Sequence, residues 1–597
     1  MIWERVKYFY RRGWLSFGLL STAFLFLFIL TWQKWGDLIV DTGREMFVPL
    51  KLAEGAVLYR DIFYLYGPLS PYFHSFLFNV FGVHLNVLIT SGALTAAFTL
   101  VLMFKISRFF LNVFLSTVTA LVFLLVCVFG HYLFLANYNF IIPYSYPAVH
   151  ALLFSLAAIY FFFRYTKDLK AGDCWLSSLA VFLILVTRVE MGVMAMIALL
   201  AGAVFFNKKM GLVSWIVLFG LPLLLAGMVY GGFWLAAREE ILQSNLFSFA
   251  STNTFMDNPF TSWLSGTDQR AENLWLMSKS FLFHGLAALW FFLTGMAVAR
   301  AGRIRDMQVR NALYLVVTVF APGLIYFLMN KFAPAAIQYR SLPVLIIVAF
   351  FIAAVRLVRS EDSAMSPRVL TLAVFSWLVL LRIIFKVHPM HYGFSLLAPG
   401  LIVYHVLLFR LIPDMISNKT ARACLAGGFI FVVGAYAFQY LSMSMFAYQH
   451  RTISIFSSRG GMKVFPNDRD RACANLIRHL ATQTHPDSTV TILPEGLTIN
   501  FLANRDNPLY YYSFMPPDFS KKSVESDVIK DIEEKKVDYI VLLQRDLEEY
   551  NIRVFGTDYA RNLWQYIQKN YSVETRIGPF PYTTPDFGAA VFKRNMR

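Results

Sequence analysis

The sequence predicts an α-helical polytopic membrane protein, with about 13 membrane segments and a C-terminal extracytoplasmic α/β domain. Three observations carry that expectation. Hydrophobic residues make up 57% of the chain and charged residues 15%, so most of its length is solvated by lipid. Apolar runs close to bilayer length recur from Leu15 to about residue 443. From about residue 460 the composition changes to that of an ordinary soluble protein. The division is therefore 1–443, with a first outer loop at 33–82, and 444–597.

Arg5, Lys7, Arg11 and Arg12 precede the first apolar run, Leu15 to Trp32. The run has full membrane length and no small-residue cleavage site follows it. It predicts a retained signal anchor with a cytoplasmic N-terminus. Asp41 to Tyr72 comes next, too polar for lipid and too aromatic for a plain linker. Thr42-Gly-Arg-Glu45 fits a capping box, with Thr42 as N-cap and Glu45 reaching back. The helix then runs to about Glu54 and stops at Gly55. Asp41 sits just outside that helix start, where N–H groups and the helix dipole favour a carboxylate. After Gly67-Pro68 and Pro71, apolar residues at Tyr72, Phe73, Phe76, Leu77, Val80 and Phe81 line one face of a helix lying on the membrane surface.

Further apolar segments follow at about 83–104, 109–129, 147–164, 175–187, 191–206, 211–234, 280–299, 312–330, 342–358, 369–386, 394–410 and 423–443. Lys and Arg cluster in alternate loops: Lys105/Arg108, Arg164/Lys167/Lys170, Lys208/Lys209, Arg300/Arg303/Arg305/Arg310, Arg356/Arg359/Arg368 and Arg410/Lys419/Arg422. The positive-inside rule makes those loops cytoplasmic and puts the tail outside. The same loops explain most of the +17 formal charge, so it is no nucleic-acid signal. The four cysteines are scattered without a CxxC pair or a His/Cys cluster, which argues against a zinc site or a disulfide framework.

In the tail, residues 468–481, 523–536 and 558–570 read as helices. Thr489–Leu493, 538–544 and Ala589–Phe592 read as strands. The tail shows no phosphate-binding glycine loop and no catalytic triad. Long outer loops at 131–147 and about 237–279 join the first one on the face where the tail lies. The second of them carries Arg238, Glu239, Glu240, Asp257, Asp268 and Arg270.

A signal anchor, an outer loop beginning with an acidic residue, surface helices, many spans and an outer domain: this order resembles the polytopic glycosyltransferases of the C superfold. Within them the chain is similar to the protein O-mannosyltransferases and the lipid A aminoarabinose transferase (glycosyltransferase family 39-like). The resemblance covers roughly the first 410 residues as architecture and about 40 as motif. Asp41 stands where those families place a catalytic Asp, and Arg44 three residues on matches an Arg of the aminoarabinose transferase pattern. The chain departs from the pattern in having Asp41-Thr42 where an Asp-Glu pair is usual. It also has Tyr66 where an acidic residue implicated in metal binding is expected, with Asp61 the nearest acidic substitute. The one cofactor the resemblance implies is a divalent metal ion.

What the resemblance implies is a membrane glycosyltransferase, hexosyl or pentosyl. It would move sugar from a polyprenyl-phosphate donor to an extracytoplasmic glycolipid, polysaccharide or protein. The protein would be multi-pass in the plasma (inner) membrane, with its C-terminal domain periplasmic or extracellular. Its partners would be the lipid-linked sugar, the acceptor and the bilayer, with no nucleic acid. Asp41 would be the general base, or else only a residue beside a helix start. Arg44 suits a phosphate bidentately or a surface ion pair equally. Arg60, Asp61 and Tyr66 join it as substrate-binding candidates, though Arg60 and Asp61 also suit plain loop pairing. Arg188 and Glu190 interrupt apolar sequence, where charge is either paired or functional. Lys331, Arg340 and Lys386 suit a lipid phosphate or interfacial anchoring. His388 and His391 form a two-histidine loop without carboxylates, which is weak as a metal set. The alternative is a polytopic transporter or flippase of envelope glycolipids. That would favour broken helices at matching positions in two halves, and only the pair around Arg188 is of that kind.

Overall fold

The structure, a computed structural model, describes residues 13–132, 135–206, 210–238, 241, 259–302, 306–309, 311, 320–361, 364–520 and 522–595. Arg5, Lys7, Arg11, Arg12, Lys208, Lys209, Glu239, Glu240, Asp257, Arg303, Arg305 and Arg310 lie outside the described residues.

The helices before the tail are α1 (Trp14–Leu30), α2 (Thr42–Ala53), α3 (Leu69–Phe81), α4 (Leu85–Ser107), α5 (Val113–Val128), α6 (Tyr146–Asp168), α7 (Ala171–Leu185), α8 (Val189–Phe205), α9 (Leu212–Ala237), α10 (Pro259–Ser265), α11 (Arg270–Ala301), α12 (Ala321–Phe332), α13 (Leu342–Val358), α14 (Ser366–Ile383), α15 (Gly393–Met415) and α16 (Lys419–Gln449). Among the described residues, seven helices are long and apolar enough to cross a membrane, counting α10 and α11 as one. The others of the seven are α4, α6, α9, α14, α15 and α16. Five shorter apolar helices, α1, α5, α7, α8 and α13, lie at other expected segments. α12 is the described part of the segment at 312–330. Every expected segment thus holds an apolar helix, because a backbone in lipid must satisfy its own hydrogen bonds. The length criterion itself supports seven crossings, fewer than the expected number.

α3 shows how the surface stretch is built. Its polar residues Ser70, His74 and Ser75 are buried, while Phe73, Phe76, Val80 and Phe81 are exposed. That inversion suits a helix whose outer side meets acyl chains.

The tail begins where α16 ends at Gln449. It comprises a hairpin, β1 (Ile453–Ser457) and β2 (Gly460–Val464), then α17 (Asp468–Gln483), β3 (Val490–Leu493), α18 (Leu497–Ala503), α19 (Lys522–Glu534), β4 (Tyr539–Leu543), α20 (Arg561–Asn570), β5 (Tyr571–Ile577) and β6 (Ala589–Arg594). The sheet runs β3-β4-β6-β5; β3 and β4 are parallel and the other pairs antiparallel. The hairpin, α18 and β5 are additions to the expected elements. One core cluster of the sheet joins Val528 and Ile532 to Leu563 and Ile567. Leu476, Val490, Ile499 and Phe501 belong instead to the large core that includes the membrane helices. Apolar packing is therefore continuous from the membrane helices into the tail.

Backbone bonds fasten the tail to the stretch from Gln33 to the start of α4. Lys463 N donates to Gln33 O (2.7 Å), Leu85 N to Arg459 O (2.8 Å) and Phe63 N to Tyr510 O (3.1 Å). α18 lies directly on α2, and Gly43 permits that approach. A Cβ added there would meet Thr498 N at 2.2 Å.

Candidate active site

The site is built on the loop between α1 and α2. Asp37 Oδ1 accepts from Ile39 N (2.9 Å) and Val40 N (2.8 Å), which folds the chain back on itself. Arg469 of α17 holds the same carboxylate at 2.6 and 3.2 Å. Burial pushes the Asp37 carboxyl up, but Arg469 and the two N–H donors outweigh it and hold it below the ordinary range. Thr42 Oγ1 accepts from Asp37 N at 2.9 Å.

This fold-back ends in a three-residue turn centred on Asp41. Thr42 N donates to Val40 O at 2.5 Å, and Asp41 takes φ 56° and ψ −41°. That is a γ-turn of the strained hand, rare for a residue with a side chain. Conformations of this kind cost about 1–3 kcal/mol and persist only where their surroundings impose them. Asp41 Oδ1 faces Arg44 Nη1 at 3.3 Å. Burial pushes the Asp41 carboxyl above its ordinary range; Arg44 and Arg545 pull against that, and Asp37 adds to it.

The expected capping box does not form. α2 spans Thr42–Ala53, so Asp41 and not the expected Thr42 takes the N-cap position, and no side chain caps. Thr42 and Glu45 have stronger tertiary partners. Glu45 Oε2 accepts from Tyr146 N (2.9 Å), and its Oε1 pairs with Arg44 Nε (3.1 Å). The expected end is confirmed: Gly55 has φ 101°, and Ala56 N closes onto Lys51 O.

Arg44 is central. It bonds Asp41, Glu45 and the Tyr144 carbonyl (2.6 Å), and its guanidinium lies 5.4 Å from the centre of the Tyr66 ring. Arg188 stacks on the same ring at 5.0 Å and pairs with Glu190 at 2.6 Å. Two guanidiniums thus lie within 5.4 Å of the centre of the Tyr66 ring. Gly67 N and Leu69 N bond the carbonyls of Thr187 and Val186, which ties this loop to the α7–α8 junction. Tyr144 meets Tyr392 edge-on at 4.5 Å, and Arg382 lies over the Tyr392 ring at 5.4 Å.

The structure therefore brings Asp41, Arg44, Tyr66, Arg188 and Glu190 together. Arg60 and Asp61 do not join them; they form an exposed pair at 2.7 Å, and Asp61 closes its own turn by accepting from Val57 N. Lys331 is exposed. Arg340 is buried on Asn273 Oδ1 (2.6 Å) and the Phe385 carbonyl (2.8 Å). Lys386 bonds the Trp263 carbonyl and lies over its ring at 4.5 Å, and His391 packs on that ring at 5.0 Å.

The tail also reaches the site, through residues absent from the candidates named above. Glu495 and Arg545 follow the carboxyl ends of the parallel strands β3 and β4, the edge of an α/β sheet where sites form. Glu495 Oε1 accepts from Asp41 N at 2.5 Å, and its Oε2 is 3.6 Å from Arg545 Nε. Burial, then the Asp41 charge, push the Glu495 carboxyl up to about 7 against the pull of Arg545. A cavity of about 40 Å³ lies here, lined by Asp41, Gly43, Arg44, Glu495, Tyr512 and Ser513 among others. It has room for a hydroxyl or a few waters but not for a sugar ring. Among the described residues no three His, Cys, Asp or Glu side chains gather as a metal site. The two carboxylates flanked by two guanidiniums do not fit the divalent ion that the sequence resemblance implies.

A second space is far larger. A groove of about 630 Å³ runs between α3, α4 and α6, lined by Leu69, Phe73, Phe98, Phe154 and Leu183 among others. Leu69 and Leu183 belong to the two segments that carry Tyr66 and Arg188.

No protein-family model matches the chain, and no curated protein matches it in sequence. Among solved structures it is similar to the archaeal oligosaccharyltransferase AglB from Archaeoglobus fulgidus in complex with an inhibitory peptide and a dolichol-phosphate. That match is 14% identical, covers 98% of this chain and 74% of the other, and has a TM-score of 0.49. It is also similar to ArnT from Cupriavidus metallidurans bound to undecaprenyl phosphate, at 10% identity, 97% and 98% coverage and a TM-score of 0.42. The arabinofuranosyltransferase AftD from Mycobacteria is 12% identical, with 97% of this chain and 40% of that one covered and a TM-score of 0.42. At these values the likeness leaves function to be argued from the site itself.

Proposed function

We propose that this protein is a membrane glycosyltransferase that moves a sugar from a polyprenyl-phosphate donor to an acceptor on the outer face, with Asp41 as general base. The observation that carries it is Asp41 itself: a carboxylate held in a strained turn on the rim of a cavity the size of a hydroxyl. Its raised proton affinity makes it a stronger base than an ordinary carboxylate. The acceptor O–H or N–H points into the cavity and gives its proton to Asp41. The freed electron pair attacks the anomeric carbon. The bond from that carbon to the phosphate oxygen breaks, and the polyprenyl phosphate leaves with the electron pair. Arg44 and Arg188, both against the Tyr66 ring, meet the growing phosphate charge. The groove starting at Leu69 and Leu183 accommodates the polyprenyl chain. In this reading the N-terminus is cytoplasmic and the tail lies outside.

Asp41→Asn keeps size and loses proton acceptance, so transfer in membranes supplied with a polyprenyl-phosphate sugar falls by roughly 10²–10⁴. Asp61→Asn, in the exposed pair, serves as the control and keeps its rate. Near-wild-type transfer by Asp41→Asn at normal expression overturns the mechanism.

A further inference from the structure

We propose that Glu495, carried by the outer domain, is a positioning residue for Asp41, so that the tail completes the catalytic centre rather than only recognising an acceptor. The inference rests on the transfer reading above.

Asp41 occupies a conformation that its own sequence does not favour, and the groups that impose it are identifiable. On one side Asp37 and Thr42 fold the loop. On the other, the Asp41 N–H is held by Glu495 at 2.5 Å. This bond joins two residues far apart in sequence and fixes the turn from outside the loop. Glu495 is itself braced. It leaves the carboxyl end of β3, its second oxygen faces Arg545, and Arg545 is pinned by Glu549 at 3.0 Å. α18, which follows at once, packs on the first turn of α2 through Gly43. Asp41 and Glu495 both line the small cavity, so any movement of the tail is felt where the acceptor proton is taken. The charged groups facing Glu495 are Asp41 and Arg44 from the outer loop and α2, and Arg545 from the tail.

The test uses the full-length protein in membranes and three variants. Glu495→Gln keeps an oxygen that accepts the Asp41 N–H. Glu495→Ala and Glu495→Met have none, and Met preserves volume if the Ala variant fails to fold. A positioning role predicts that Ala or Met lowers kcat by about 10- to 100-fold with KM for the lipid donor little changed. Gln restores most of the rate. Equal loss in Gln and Ala overturns the proposal, because then the charge matters and the acceptor oxygen does not. So does a raised KM at unchanged kcat, which would make Glu495 a binding residue, and so does wild-type behaviour of the Ala or Met variant. Failure of the transfer reading is seen separately, as activity retained by Asp41→Asn.

Discussion

Gly43→Ala separates the positioning of Asp41 from its chemistry, because it touches neither carboxylate. The added Cβ would fall 2.2 Å from Thr498 N and 2.5 Å from Leu497 C, both main-chain atoms that no rotamer change can move aside. Ordinary contact requires α18 to retreat from α2 by about 1.2–1.8 Å. Glu495 sits two residues before α18, so the same retreat stretches its 2.5 Å bond to Asp41 N past hydrogen-bonding distance. Overpacking costs about 1–3 kcal/mol. Replacing a helical glycine with alanine returns up to about 1 kcal/mol. The net loss of stability is therefore about 0–3 kcal/mol, and the protein should still accumulate in membranes. A displacement of about 1 Å near the reacting groups can cost about 100-fold in rate. The expected signature is a modest fall in thermal unfolding temperature with a large fall in transfer rate. Gly434→Ala is the control, since nothing lies within 4 Å of its added Cβ. Wild-type transfer by Gly43→Ala at normal yield would show that α18 does not hold the turn.

Two further outcomes follow from the same geometry. Arg188→Lys keeps the charge but loses the planar fork stacked on Tyr66, so KM for the lipid donor should rise by about tenfold while expression is maintained; an unchanged KM removes Arg188 from the phosphate site. pH should move stability in two opposite senses. Asp37 is held below its unfolded value of about 3.9, so its stabilisation is complete above about pH 4 and is lost as pH falls through the folded value. Asp37→Asn should flatten the acid limb of thermal unfolding. Glu495 is raised to about 7, so its contribution is complete below its unfolded value of about 4.3 and is lost as pH rises through 7. Between pH 4 and 7 it makes the protein less stable as pH rises, and Glu495→Gln should reduce that slope; an unchanged slope refutes the assignment.

The membrane helices were legible because lipid leaves a buried backbone few options, and α2 ended where Gly55 said it would. The capping box misled for a definite reason. Thr42 and Glu45 have the right spacing to cap each other, but Asp37 N and Tyr146 N compete for the same oxygens. Asp37 is only five residues from Thr42, but local spacing cannot register Tyr146, about a hundred residues from Glu45. Asp41, Arg44 and Arg188, singled out by position and residue type, lie together in the structure, whereas Arg60 and Asp61 lie apart as an exposed pair. Glu495 was missed because its partner is 454 residues distant. A signal was present in Pro494-Glu495-Gly496, a charged residue locked just past a buried strand. α18 escaped because seven residues are too few to show a helical period.

The groove between α3, α4 and α6 has one consequence for kinetics. Phe73, Phe81, Leu94 and Phe98 on its wall are exposed, so it opens sideways into the acyl layer. A hydrocarbon chain that fills it arrives by diffusion in two dimensions and never crosses water. Occupancy then depends on the mole fraction of that lipid in the bilayer, not on its bulk concentration. Adding inert phospholipid or detergent at fixed total substrate should slow the protein by dilution within the surface phase. Changing the aqueous volume should leave its rate the same.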